Sequence, residues 1–204
     1  FTLGTAATND ANVATANKFV NLGTLALTGG TGTSAATNYA LPASSFSANN
    51  GATINAKTVT LSAEKTYDSN TSLTGAVTIG TGVGTQTLTY TGATANDANV
   101  ATANKFINAI TLANATDGSG GLASNYALPV LNRANAPVTI NAKTVTLSAE
   151  KTYDSNTSLT GAVTIGTGVG TQTLTYTGAT ANDANVATAN KFINAITLAD
   201  GTNG

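Results

Sequence analysis

Lys65-Thr-Tyr-Asp-Ser-Asn-Thr-Ser-Leu-Thr-Gly75 returns letter for letter at Lys151–Gly161, an offset of 86 positions. Widening the comparison, Thr53–Ala113 and Thr139–Ala199 are identical over 61 positions. Self-similarity at a fixed period decides the architecture before any local reading does. The eleven residues read as a short strand, a polar turn at Asp68-Ser-Asn, and a second strand. The repeat points to a small domain copied in tandem, and no reaction chemistry is visible in it.

Composition names the fold class. The chain has 204 residues, and an 86-residue period falls in the size range of an independently folding domain. Apolar residues reach 41%, but aromatics only 5%, with Trp and Met absent, so each core is expected to be thin. Thr contributes 41 residues and Gly 21. Thr and Val suit a pleated, half-buried surface, and Gly serves the turns. The expectation is all-β: an elongated tandem array of small β-sandwich-like repeat domains.

Charge narrows the partners. Only 8% of residues are charged, for a net charge of −1. Within one period Lys57, Lys65, Lys105 and Arg133 balance Glu64, Asp68, Asp97 and Asp117. Binding to phosphate backbones needs clustered cations that displace counterions, so nucleic acid is excluded as a partner. No stretch approaches the roughly 18 apolar residues of a spanning helix, and no basic-then-apolar leader opens the chain, so no membrane insertion is expected. Cysteine is absent, which removes disulfides and leaves the redox compartment open.

The flanks repeat the period in part. Asn9–Phe19 matches Asn96–Phe106 and Asn182–Phe192, and Asn38-Tyr-Ala-Leu-Pro42 matches Asn125-Tyr-Ala-Leu-Pro129. Phe1 and Leu3 align with Leu88 and Tyr90. The expected division is a partial repeat over 1–56, a complete one over 57–142, and a second partial one over 143–204.

Inside the complete copy, Val59, Leu61 and Ala63 alternate onto one face, as do Val77 with Ile79 and Leu88 with Tyr90 in the run Thr85–Thr91. Gly80-Thr-Gly-Val-Gly84 is expected to join two of these runs as a hairpin. Asn96–Asn104 reads as an ordered loop or one helical turn, because Asn and Asp oppose a helix interior, and it leads into a strand over Lys105–Leu112. Gly118–Gly121 reads as a loop, and Asn125–Pro129 and Val138–Asn141 as short closing strands. Almost no linker separates the copies, which predicts a stiff rod. A strand edge left open in a partial copy is expected to attract another chain.

Four segments in this order and spacing, Lys65-Thr-Tyr-Asp, Asn99-Val-Ala-Thr-Ala-Asn-Lys105, Leu122-Ala-Ser-Asn-Tyr-Ala-Leu128 and Thr139-Ile-Asn-Ala-Lys143, resemble the YDG/MBG-type β repeats of filamentous-haemagglutinin-like, two-partner-secreted bacterial adhesins. The chain departs from that pattern at Ser69 and Ser155, where the family has Gly after Tyr-Asp. It departs again at Ala101 and Ala103, each in place of a Gly, and at Asn141-Ala in place of Thr-Pro. The resemblance implies extracellular spacer domains that carry a binding tip away from the cell surface, and it brings no catalytic residues.

Candidate sites are few. Lys65, Tyr67 and Asp68 read as a packed ring beside a turn carboxylate rather than an acid–base group. The absence of His and Cys removes the usual nucleophile pairs and zinc ligand sets. Four acids per period without Asp-x-Asp spacing do not make a calcium site. Gly80–Gly84 lacks the Lys-Ser/Thr of a phosphate loop. Lys57, Lys65 or Lys105 joined to an Asn with help from Glu64 or Asp97 would give an isopeptide crosslink suited to a load-bearing fibre. The runs Thr58/Thr60 and Thr85/Thr87/Thr89/Thr91 invite a glycan- or ice-binding alternative, though outward Thr on a twisted sheet gives the same pattern. Asn70-Thr-Ser72 and Asn114-Ala-Thr116 match glycosylation acceptors. No residue is assigned a catalytic, cofactor-binding or metal-binding role. The expected partners are neighbouring copies in the same chain, then like filaments or surface glycans.

Overall fold

The structure, a computed structural model, describes residues 5–29 and 35–201. It is all-β: short strands in small sheets, with two single 3-10 turns at Ala36–Asn38 and Ala123–Asn125. Phe1 and Leu3 lie outside the described residues.

The alternation at Val59, Leu61 and Ala63 buries all three side chains, at 2%, 4% and 6% exposure. Val59 lies between β3 (Lys57–Thr58) and β4 (Thr60–Thr66), and Leu61 and Ala63 lie on β4. β4 is the middle of a three-stranded sheet. On one side it pairs antiparallel with β5 (Val77–Gly80), Leu61 facing Ile79; on the other it pairs parallel with β9 (Val138–Asn141), Ala63 facing Val138. β3 pairs parallel with β8 (Tyr126–Ala127). A separate antiparallel pair joins β6 (Thr89–Ala95) to β7 (Ile107–Ala113). Its register gains one residue between Thr91 and Thr94, where Gly92 takes φ +62°, as a β-bulge requires.

Tyr90 ties the two sheets together. Its hydroxyl donates to the Leu73 carbonyl (2.9 Å) and accepts the Val77 N–H (3.0 Å). A ring that packs apolar atoms while its OH meets the backbone leaves no buried polar group unpaired. Leu73 N–H to Ala93 O (2.9 Å) and Ala95 N–H to Thr71 O (2.8 Å) add a second seam. The buried cluster draws Leu61, Ala63, Val138 and Ile140 from one sheet and Ala93, Ala95, Ile107 and Ile110 from the other, around a fully buried Leu73. All of its members fall between residues 59 and 140.

The pairings recur along the chain. β10 (Thr146–Ala149) pairs with β11 (Val163–Gly166), Leu147 facing Ile165. β12 (Thr175–Ala181) pairs with β13 (Ile193–Ala199), Tyr176 facing Leu198. These are the registers of β4–β5 and β6–β7 moved by 86 positions. At the other end, β1 (Ala7–Thr8) pairs with β2 (Val20–Asn21).

Two expectations are corrected. Gly80–Gly84 does not close a hairpin, because β5 pairs back onto β4 and β6 pairs forward onto β7. The loop crosses from one sheet to the other, and Gly82 and Gly84 turn it through positive φ. The run Thr85–Thr91 becomes strand only from Thr89. Gln86 N–H instead closes a turn onto Val83 O, and Thr81 Oγ1 donates to Gln86 O.

Candidate functional site: the Lys-Thr-Tyr-Asp turn and the C-terminal cleft

Lys65 organises the turn that follows it. Its ammonium lies 2.6 Å from Asp68 Oδ1 and donates to the Ser72 carbonyl (2.9 Å) and to both oxygens of Asn70 (3.2 Å each). Asp68 accepts the Asn70 N–H, and Asn70 Oδ1 accepts the Ser72 N–H, two side chains standing in for a backbone ladder. Burial raises the Asp68 pKa, but the Lys65 ammonium and the Asn70 N–H outweigh it and hold the carboxyl below its ordinary value. Lys151, Asp154 and Asn156 repeat the arrangement. Both charges are engaged inside the loop, which makes it a cation-locked turn.

The same device closes the Asn96–Asn104 loop, which forms no helix. Lys105 is buried at 8% exposure and donates to Val100 O (2.8 Å) and Thr102 O. Asn96 Oδ1 accepts the Phe106 N–H across the loop's base (2.8 Å). Asp97 is held below its ordinary pKa by the Asn99 N–H and then the Thr102 hydroxyl, with Lys105 adding to both. Asn104 supplies the positive φ (+59°), which Asn tolerates.

The crosslink geometry named from the sequence comes together only in part. Lys65 meets Asn70, but the acid beside it is Asp68. Glu64 faces away, its Oε1 accepting Asn141 Nδ2 at 2.8 Å. The Lys65 ammonium is instead taken up by Asp68 Oδ1 and by the Asn70 and Ser72 carbonyls. Asn70 and Asn114, the glycosylation-type positions, both turn their amide oxygens inward, Asn114 accepting the Ala123 N–H (2.9 Å). Several Thr hydroxyls also stay within the molecule. Thr87 donates to Asp117 (2.6 Å), Thr89 to Asn114 O (2.7 Å) and Thr60 to Gly80 O (3.4 Å).

One concavity was not expected. It is an open cleft of about 630 Å³ among the C-terminal strands, lined by Leu147, Ala149, Leu159, Ala181, Phe192 and Ile193. Its rim lysines are engaged locally, Lys151 by Asp154 and Lys191 by the carbonyls of Val186 and Thr188. The signal for it was present in the sequence, since the identical stretch 61–107 buries the same side chains. Seeing it required knowing that β9 covers them.

Among the described residues no three His, Cys, Asp or Glu side chains come together, and no helix is long and apolar enough to cross a membrane. Comparisons with protein-family models, with curated proteins and with solved structures return no match.

Proposed function

We infer that this chain is a structural segment of a stalk or fibre in a secreted bacterial surface adhesin or biofilm-matrix protein, spacing a binding tip from the cell. Its work is mechanical, with no catalytic residue and no cofactor. Successive copies add length and resist bending. The observation that carries the reading is the recurrence of strand pairing at the sequence offset of 86, with a side-chain link between copies at Tyr67 and Gln172. The family-like segments around Tyr67, Lys105, Tyr126 and Ile140 add support, because each lands on a turn or strand that builds the fold. Its natural partners are neighbouring copies and like filaments. The Thr-rich glycan- or ice-binding alternative gains no support, because Thr60, Thr87 and Thr89 donate to the chain itself.

Small-angle scattering on chains carrying one, two and three complete copies tests this reading. A maximum dimension that grows by a constant increment per copy is the expected result. A radius of gyration following compact-globule scaling, roughly the 0.38 power of length, overturns it.

A further inference from the structure

Arg133 is the single arginine of the chain. It lies in the loop between β8 and β9, where residues 128–136 belong to no strand ladder. Arg133, Ala134 and Asn135 are all exposed, and Val130 is 74% exposed. One residue holds the turn. Asn132 Oδ1 accepts the N–H of Ala134 (2.9 Å) and of Asn135 (3.0 Å), and its carbonyl accepts the Ala136 N–H (2.9 Å). Among the described residues Arg133 forms no ion pair.

The other cations of this copy are placed differently. Lys65 and Lys105 direct their ammonium groups onto backbone carbonyls, and Lys57 lies in β3, laddered to β8. Within residues 57–142, Arg133 alone combines an unpaired cationic head with backbone outside any ladder.

The strand that follows the loop is held from both sides. Towards β4, Ala63 N–H donates to Pro137 O (3.0 Å) and Tyr67 N–H to Asn141 O (2.8 Å). Towards the start of β7, Ile107 N–H donates to Ala136 O (2.9 Å) and Val138 N–H to Lys105 O (3.2 Å). The Asn141 amide clamps onto Glu64 (2.8 Å), and Ala136, Val138 and Ile140 are 0%, 8% and 5% exposed. None of these contacts passes through the Arg133–Ala134 bond. After β9 the chain runs through residues 142–145 into β10, so the strand that seals one copy is covalently the leading segment of the next.

We propose that the Arg133–Ala134 peptide bond is a processing site for an arginine-specific, trypsin-like protease, and that the cut chain stays joined through β9. Such an enzyme takes the Arg side chain into an acidic pocket and acts on chain that has opened locally. Exposed loop tips of small and polar residues open most readily, and here only the Asn132 turn has to give way. Hydrolysis consumes one water: the bond from the Arg133 carbonyl carbon to the Ala134 nitrogen breaks, leaving a carboxylate on Arg133 and an ammonium on Ala134. Residues 134–204 then begin with the segment that fills the seat between β4 and β7, and residues 1–133 keep that seat. A covalent joint is thereby exchanged for strand complementation, in which backbone bonds supply affinity and alternate side chains supply specificity. All the contacts involved lie within residues 57–142 and are independent of the stalk reading.

Digestion of the folded full chain with an arginine-specific protease tests this, read by mass spectrometry in native and denaturing conditions. Denatured, the product should be two pieces, 1–133 and 134–204. Under native conditions it should be one species with the mass of the uncut chain plus one water. Arg133→Lys should leave the chain uncut. Ile140→Ala truncates an inward side chain of β9, and Asn141→Ala, at an exposed position, removes the clamp on Glu64. Each should raise the dissociation constant of the cut pieces by roughly tenfold or more. Cleavage of the denatured chain but not of the folded one overturns the site. Pieces that separate without denaturant overturn the joint, and so does cohesion unchanged by both substitutions.

Discussion

Nε2 of Gln172 donates to the hydroxyl of Tyr67 across 2.9 Å, joining side chains 105 positions apart that belong to successive copies of the repeat. The counterpart of Gln172 in the complete copy, Gln86, meets the hydroxyl of Tyr126 instead. Beside Gln172, Val169 is 6% exposed, whereas its counterpart Val83 is 39% exposed. The Gly166–Gln172 loop is thus covered where the complete copy's own loop is open. A double-mutant cycle with Tyr67→Phe and Gln172→Ala in denaturant unfolding should show a coupling of about 0.5–1.5 kcal/mol, the usual worth of one net hydrogen bond. Additive single effects would mean that the contact does not link the copies.

Ser69 and Ser155 hold φ of +68° and +62°, a region costing a residue with a Cβ about 1–2 kcal/mol. Glycine enters it freely, at an entropic cost of roughly 0.5–1 kcal/mol. Ser69→Gly should therefore stabilise the fold by about 0.5–1 kcal/mol, read as a raised denaturant midpoint at unchanged slope. Destabilisation would mean that the Ser69 side chain supports the turn.

Leu61 and Leu147 form a control written into the chain, with the same residue in the same local sequence at 4% and 39% exposure. Leu61→Ala should cost about 2–5 kcal/mol, as core truncations do. Leu147→Ala should stay within about 1 kcal/mol, nearer a surface change. Hydrogen exchange of the β4 and β10 amides separates the two. Equal losses would show that the two positions are equally packed.

Asp117 is held down to a pKa of about 2, first by the Thr87 hydroxyl and then by the Ser119 N–H and hydroxyl. A carboxyl whose folded pKa lies below its unfolded value of about 3.9 contributes stability that is complete above that value. The contribution falls away as pH drops through about 2. The Asp117 carboxyl carbon should accordingly titrate near 2 in an NMR series, and Thr87→Val should move its midpoint upward. An unmoved midpoint would assign the shift to Ser119.

Much of the fold was legible because alternation is local. Val59, Leu61 and Ala63 announce an inward face whatever they pair with, and the Asn-rich stretch before Lys105 announces a loop because Asn and Asp compete with helix. Pairing is not local. Nothing within Ala76–Thr91 states that β5 returns to β4 while β6 goes on to β7, and the glycines at 80–84 suit a hairpin equally well. The parallel pairings of β3 with β8 and β4 with β9 join segments far apart in the chain. For the same reason the cleft was hidden: Leu61 and Leu147 sit in the same sequence, and only the arrival of β9 separates them.

Glu64 and Asn141, bonded side chain to side chain, are 77 positions apart. As the chain leaves the ribosome, the first large strand of the copy appears long before the one that seals it. Until Val138–Asn141 emerge, β4 waits with a bare margin, and long-range parallel pairing of this kind is slow to form. Glu64 and Lys65 on that margin are charges of the sort that discourage premature partners. Each copy must therefore ripen from its start to its finish, and a pause in synthesis before residue 138 would prolong its most adhesive moment.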